Sequence, residues 1–385
     1  MTDYVIRTVQ TDEEFTSASQ LAGESFAGGD RNVYERSVAD WQRFRQQPGF
    51  TYDKQFILIA DGQVVSHAIF DLYTLQYGRA RIEMAGVGAV CTQIRYQGRG
   101  YNAAVMRACV EDMHRRGVPL TMLNGIAGYY HRFGYSAMIP DYIIEIEAAQ
   151  ALKLDAPLTV REMLPDDLPQ LQALYARHWL EKRPTLSRPP EVWAWQLRVI
   201  PPRQAEVVVD STGRVRGYLA GRGATSTVTE VVADDVEAAQ TLLAAAGRRY
   251  KEQGETAIRW CVPPDDAFVH YARQVADVTL HTEYSLNAGW MGCIVDGERL
   301  LAALAPEFRA RAGDDAAVTW TEDGRIRIGS RQDEQVVCVV SQKDFLQLLS
   351  GALAPDALAL DSAITALLDT LFQARPMMVG PWDWF

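Results

Sequence analysis

The stretch Val90-Cys91-Thr92-Gln93-Ile94-Arg95-Tyr96-Gln97-Gly98-Arg99-Gly100-Tyr101-Asn102-Ala103 decides how the rest of the chain is read. Its start reads as the end of a strand, Gly98 and Gly100 interrupt it, and a helix begins at Tyr101. At such a junction free backbone N–H groups converge, and the helix dipole adds partial positive charge. Glycine leaves room where a Cβ would obstruct, and Arg95 and Arg99 add full charges. The junction suits an anion, and a diphosphate of a nucleotide-derived cofactor is the expected occupant. A plain glycine turn before a helix is the bland alternative.

Working outward, the pattern predicts a strand over 4–8, a helix from Thr11-Asp12 to about Ser25, and a helix over 33–45. Strands over 54–60 and 63–72 flank an Asp61-Gly62 turn, and a strand over 79–92 leads into the glycine loop. A helix over 101–116, a strand over 120–123, a brief helix near Tyr129 and a strand over 142–147 follow. From about residue 158 the same order restarts, which reads as an internal duplication. The last hundred residues break the pattern: strand signals, helices over 296–312, 342–350 and 361–372, and an aromatic tail. The expected fold class is therefore α/β and α+β, in three parts: 1–150, 151–285 and 286–385.

Composition narrows the function. The 385 residues carry 38 basic and 49 acidic side chains, a formal charge of −11, which disfavours a general nucleic-acid or anionic-membrane binder. With 48% hydrophobic and 23% charged residues the chain reads as globular, and no apolar run approaches a membrane span. The first residues lack the features of a signal peptide, and the five cysteines are scattered, so reduced thiols in a cytoplasm are expected. No Cys/His cluster has zinc spacing, so no metal is expected.

Which cofactor the loop holds is a question of spacing. Gly98, Gly100 and Ala103 match a dinucleotide fingerprint, but the next strand, Leu120-Thr121-Met122-Leu123-Asn124, lacks the carboxylate that would hold a ribose. No GK[ST] is present, which excludes a P-loop. Gln97-Gly98-Arg99-Gly100-Tyr101-Asn102 resembles the Q-x-x-G-x-(G/A) acetyl-CoA loop of the GNAT N-acetyltransferase superfamily, with Asn102 where that family usually has Gly or Ala. Gly128-Tyr129-Tyr130-His131-Arg132-Phe133-Gly134-Tyr135 resembles a Y-x-R-F-G-Y segment of one GNAT branch, the Eis (enhanced intracellular survival) acetyltransferases. The resemblance spans the chain. It implies tandem GNAT folds, the second without a CoA site, and a sterol-carrier-protein-like C-terminal domain. It also implies a homo-oligomer, a hexamer in that family.

The resemblance assigns roles by position. It makes Tyr130 the general acid, a phenol able to protonate a departing thiolate, with Tyr129 and Tyr135 as neighbours. It makes the terminal carboxylate, here of Phe385, the general base. Independently, Trp382, Trp384 and Phe385 make the tail too apolar to hang free. Val90, Cys91 and Thr92 would bond the acetyl and pantetheine groups through their backbone, and Asn124 and Gly125 would face the pantetheine arm. Arg95, Gln97, Gly98, Arg99, Gly100, Tyr101, Asn102 and Ala103 would hold the diphosphate. Cys91 has no evident histidine partner and is not expected to be a nucleophile. For an amine acceptor, Phe26, Trp41, Asp383 and Trp384 are candidate aromatic and anionic walls. The second junction, Val232-Ala233-Asp234-Asp235-Val236, has two aspartates and no glycine, so it should bind no CoA. The expectation is acetyl transfer from acetyl-CoA to an amine. A non-catalytic acetyl-CoA sensor or a lipid carrier is the alternative.

Overall fold

A computed structural model describes residues 4–199, 205–221, 229–372, 375–380 and 383. Side-chain caps start the early helices. Thr11 accepts from the Glu14 N–H at the start of α1 (Asp12–Phe26), and Asp30 accepts from the Asn32 and Val33 N–H groups at α2 (Arg31–Phe44). Around them lie β1 (Tyr4–Thr8), β2 (Gln55–Ala60), β3 (Gln63–Tyr77), β4 (Ala80–Thr92), α3 (Tyr101–Arg116), β5 (Leu120–Gly125) and β6 (Ser136–Ile139). Neither periodicity nor composition announces β6, a strand that Pro140 ends.

The repeat begins after β7 (Asp141–Glu147) and α4 (Ala148–Ala151). It comprises β8 (Thr159–Glu162), α5 (Leu168–Tyr175), β9 (Thr185–Ser187), α6 (Pro190–Val199), β10 (Ala205–Val209), β11 (Val215–Gly221) and β12 (Thr229–Ala233). Then come α7 (Val236–Glu252), β13 (Ala257–Cys261), α8 (Ala267–Ala272) and β14 (Thr279–Glu283). The final part holds β15 (Gly289–Ile294), α9 (Gly297–Ala312), β16 (Ala316–Trp320), β17 (Ile326–Ser330), β18 (Val337–Val340), α10 (Gln342–Leu349) and α11 (Ser362–Leu371).

The strand orders reveal what the chain order hides. The main sheet runs β1-β2-β3-β4-β5-β15-β6, and a second runs β12-β11-β10-β8. The remaining repeat strands pair as β13-β7-β14. So β7, expected to finish the first part, sits between β13 and β14, while β15, expected to open the third, sits between β5 and β6. Each of the two sheets thus receives a strand from another part of the chain. The sheets therefore cut across the limits expected at residues 150 and 285, because pairing partners need not be neighbours in sequence. The apolar faces suit their new neighbours: Ile144 and Ile146 of β7 bury among α7 residues, and Met291 and Cys293 of β15 bury against the α3 side of the main sheet.

The last part is joined to the first by more than β15. Leu75, Ile82, Met84, Leu120 and Met122 form one continuous core with Leu300, Leu304, Phe345, Leu349, Leu368 and Met377. The closed end of the main sheet is thus packed by the C-terminal helices. That packing leaves the opposite, loop-bearing end free for chemistry.

One buried residue stands out. His67 on β3 lies between Ile57 of β2 and Cys91 of β4, is 2% exposed, and has no hydrogen-bond partner for either ring nitrogen among the described residues. Burial alone pushes its pKa down to about 3, so the folded protein holds it neutral. An unfolded chain would protonate it near the ordinary value of about 6.5. Stability is therefore lost as the pH falls from about 6.5 toward about 3, by roughly 1.4 kcal/mol per pH unit from this group. Urea unfolding of wild type and His67→Leu across pH 4–7 should give curves whose difference changes with that slope below about 6.5. A constant difference would contradict the assignment.

Candidate active site

Two parallel strands make the cleft by parting. β4 and β5 pair only at Met84↔Leu120, Ala85↔Thr121 and Gly86↔Met122. Beyond these, β4 continues to Thr92 and β5 to Gly125 without pairing to each other. β5 is held away on its far side by β15, with Asn124 opposite Trp290 and Gly125 opposite Gly289. The register between β3 and β4 slips by one residue before Cys91, and Ala89 adopts a left-handed φ of 51°. This bulge re-aims the β4 backbone where the strands separate. The edge of β4 from Val87 to Thr92 therefore turns alternate N–H and C=O groups into an open V.

At the top of the V the glycine loop is wrapped and pinned. Gly98 and Gly100 have φ of 76° and 79°, a region where an L side chain is strained, and a Cβ at either would meet nothing within 4 Å. Gly100 is the N-cap of α3, and no side chain caps that first turn. Tyr96 anchors the loop from below: its hydroxyl donates to Asp61 Oδ2 at 2.9 Å and its ring stacks on Tyr101. Arg95 and Arg99 lie over the Tyr96 ring at 5.1 and 4.9 Å, both exposed, and neither has a carboxylate partner among the described residues. Gln97 Nε2 donates to Thr92 O at 3.2 Å, tying the loop back to β4. The result is a rim of N–H groups and two uncompensated cations, which is what a diphosphate requires.

Asn102, the departure from the family pattern, is engaged: Tyr129 donates to its Oδ1 at 2.5 Å. Tyr129 in turn meets Tyr130 edge-on at 5.0 Å. The helix start is thereby linked to the short 3-10 turn Tyr130–Phe133. Gly125 fixes that turn by close approach, since a Cβ there would stand 2.7 Å from Tyr130 Cδ2, 2.8 Å from Leu123 Cδ1 and 3.0 Å from Met291 Sδ. Tyr130 is buried, and burial foremost, then the neighbouring Tyr129 and Cys91, pushes its phenol well above the usual value. Tyr135, deeper still, bonds with Thr121.

Cys91 is 5% exposed, and burial pushes its thiol up to about 12, which keeps it protonated. Its carbonyl accepts from Ser66 Oγ at 2.9 Å, and the same hydroxyl bonds Thr92 Oγ1 at 2.8 Å. Ser66 was not singled out by sequence reasoning; only the strand register exposes it. Trp41 packs on the other side of β4 with Leu21, Ala22, Ile69, Ala89 and Cys91, beneath the V, whereas Phe26 projects 56% exposed from the end of α1.

The tail is docked as far as it is described. Met377 N–H donates to Ser350 O at 2.7 Å, and Met378 N–H to Pro184 O at 3.0 Å, while Thr185 Oγ1 donates to Met378 O at 2.7 Å. Asp383, expected as an anionic wall for an acceptor, is 2% exposed, and both its oxygens accept from Arg188, at 2.7 and 2.6 Å. That burial and pairing give it a structural partner in place of open solvent. Trp384 and Phe385 lie outside the described residues. Among the described residues no cluster of His, Cys, Asp and Glu could hold a metal ion, and no helix is long and apolar enough to cross a membrane.

The second repeat provides an internal contrast. Where Gly100 leaves α3 uncapped, Asp235 Oδ1 accepts the Ala238 N–H and caps α7, and Arg216 pairs with the same carboxylate. Asp234 is held by Arg177, His178 and Arg214. The equivalent anion site is filled by the chain's own carboxylates.

Residues 5–138 match the family described as Acetyltransferase (GNAT) domain. The chain carries a GNAT acetyltransferase domain. It is 26% identical over 320 residues to an uncharacterized N-acetyltransferase of Streptomyces coelicolor, covering 76% of this chain and 72% of that protein. The domain and this relative support an N-acetyltransferase. The fold is shared over whole chains. A GCN5-related N-acetyltransferase from Kribbella flavida superposes with a TM-score of 0.68 at 19% identity, over 100% of this chain and 99% of that one. Eis1 from Mycobacterium abscessus superposes with a TM-score of 0.63 at 16% identity, over 99% and 100%.

The close packing at Gly125 makes a sharp test. A Gly125→Ala methyl must push the Tyr130 ring aside, so acetyl transfer should fall about tenfold or more, a larger loss than that of CoA affinity. Gly100→Ala should do the reverse: CoA affinity falls, with a stability loss of about 1–2 kcal/mol from the left-handed φ. Calorimetric CoA titration and steady-state kinetics of the two variants separate the effects, and equal losses of both quantities in both variants would contradict this division.

Proposed function

We propose that the chain is an Eis-type acetyl-CoA-dependent N-acetyltransferase, acting on an amine of an aminoglycoside, a polyamine-like molecule or a lysine. The observation that carries the reading is the V between β4 and β5, with an uncapped cationic loop at its rim and the Tyr130 phenol beside it. The loop from Arg95 to Ala103 would bind the diphosphate, and Val90 to Thr92, with Asn124 and Gly125, would line the pantetheine and acetyl path. The acceptor nitrogen would attack the acetyl carbonyl directly in a ternary complex. A backbone N–H of the free β4 edge would stabilise the oxyanion. As the carbon–sulfur bond breaks, Tyr130 would give its proton to the thiolate, and the amine proton would pass to the terminal carboxylate of Phe385. A protonated, buried Cys91 supports direct transfer over an acetyl-cysteine intermediate.

The same reading assigns 1–150 as catalytic, 151–285 as a GNAT-like part without a CoA site, and 286–385 as sterol-carrier-like. It places the enzyme in the cytoplasm as a homo-oligomer, a hexamer by family resemblance. Phe26, Trp41 and Trp384 remain the proposed acceptor walls. An excess of acidic residues over basic ones, 49 against 38, favours a cationic acceptor.

Tyr130→Phe should lower kcat by about 10²–10⁴-fold on a good amine acceptor with little change in the KM for acetyl-CoA. Because the Tyr130 pKa is raised, the acid form persists above pH 10, so kcat should show no alkaline fall through the neutral range from this group. A variant with one residue added after Phe385 should also lose kcat. Thiol-release assays across an amine panel read all three, and full activity in both variants on a true acceptor would overturn the mechanism.

A further inference from the structure

The repeat that has no CoA site holds a second buried constellation, and it faces the first repeat. β9 leaves the second repeat to pair with β3, with Thr74 opposite Ser187, so the following residue, Arg188, comes beside Tyr73 of the main sheet. Arg188 is 7% exposed, its guanidinium lies 4.3 Å from the Tyr175 ring centre and 4.8 Å from that of Trp193, and it bonds two carboxylates. Glu230, fully buried, accepts from its Nη1 and Nη2 at 3.0 and 2.7 Å, and also accepts from Tyr218 Oη at 2.6 Å. Asp383 of the tail accepts from Nε and Nη2 at 2.7 and 2.6 Å.

The tail backbone is fitted to this cluster as closely as sterics allow. Gly380 N–H donates to Asp383 Oδ2 at 3.2 Å, closing a small turn around the carboxylate. A Cβ on Gly380 would stand 2.2 Å from Arg188 Nη2, 2.6 Å from Glu230 Oε2 and 2.9 Å from Asp383 Oδ2. Two residues, one on each side of the turn, thus specify the same docked geometry by different means: one by charge, the other by the absence of a side chain.

We propose that Arg188, set by Glu230 and Tyr218, is a positioning residue for acetyl transfer: it clamps Asp383 and thereby limits the reach of the residues that follow it. The inference rests on the reading that the tail's end takes part in the reaction. From Asp383 two further residues reach about 7 Å at most, so a clamp here sets their position within narrow limits. The second repeat then contributes to the first repeat's chemistry through the tail, without binding cofactor itself.

Asp383→Asn keeps the shape and leaves the Arg188–Glu230 pair intact, and Gly380→Ala leaves every charge in place, so the two perturb docking by independent routes. Each should lower kcat at least tenfold, with the KM for acetyl-CoA within about twofold of wild type, and each should speed release of the terminal residues by carboxypeptidase. Combining Asp383→Asn with deletion of Phe385 should cost no more than the deletion alone, a non-additivity that a general loss of structure would not produce. If the deletion and the one-residue extension both retain full kcat, the role of the tail's end is wrong and the proposal falls with it. If they are impaired but Asp383→Asn and Gly380→Ala are fully active, or if the double variant loses the product of both effects, the tail's role stands and the clamp is refuted.

Discussion

Three register pairs between parallel strands set the terms for everything else. β4 and β5 hold together from Met84 to Gly86 and from Leu120 to Met122, and then diverge. Unpaired strand edges inside a protein are costly unless their polar groups find partners, so a cleft of this kind must be braced. Bracing comes from β15 on the outer side of β5 and from the bulge at Ala89, which turns β4 the other way.

The two repeats show how one architecture is kept while its chemistry is exchanged. At the first junction glycines with left-handed backbone leave an open, cationic rim; at the second, Asp235 caps the helix and Asp234 collects three basic side chains. An acid at a helix N-terminus is stabilising in its own right, and at the second junction Asp235 supplies that cap. The aromatic core of the second repeat, with Tyr175, Trp179 and Trp193 packed on Met378, receives the tail.

Much of this was written locally enough to be read from residues alone. The helix over 101–116 and the strand over 205–209 are found where apolar spacing puts them, because capping, glycine punctuation and periodicity act within a few residues. The uncapped first junction and the self-filled second follow from the same local chemistry. The exchange of β7 and β15 was not legible, since both strands look like ordinary members of their own part and pairing is decided across more than a hundred residues. β9, three residues long, carries too little pattern to register. Arg188 looks like any surface arginine in sequence; only the register of β9 and the approach of the tail show it buried. Asp383, a carboxylate between tryptophans in sequence, suggests a ligand wall, and its pairing with Arg188 shows only in three dimensions.

The crossed strands also bear on how the molecule is made. The place between β5 and β6 stays vacant until the segment ending at Ile294 arrives, and β5 itself ends at Gly125. At roughly 5–20 residues per second, synthesis of the intervening stretch of about 170 residues occupies on the order of ten seconds or more. Throughout that interval the nascent main sheet exposes two raw edges, and β7 waits for a site that has not yet been translated. The main sheet therefore cannot be completed until β15 has been synthesised.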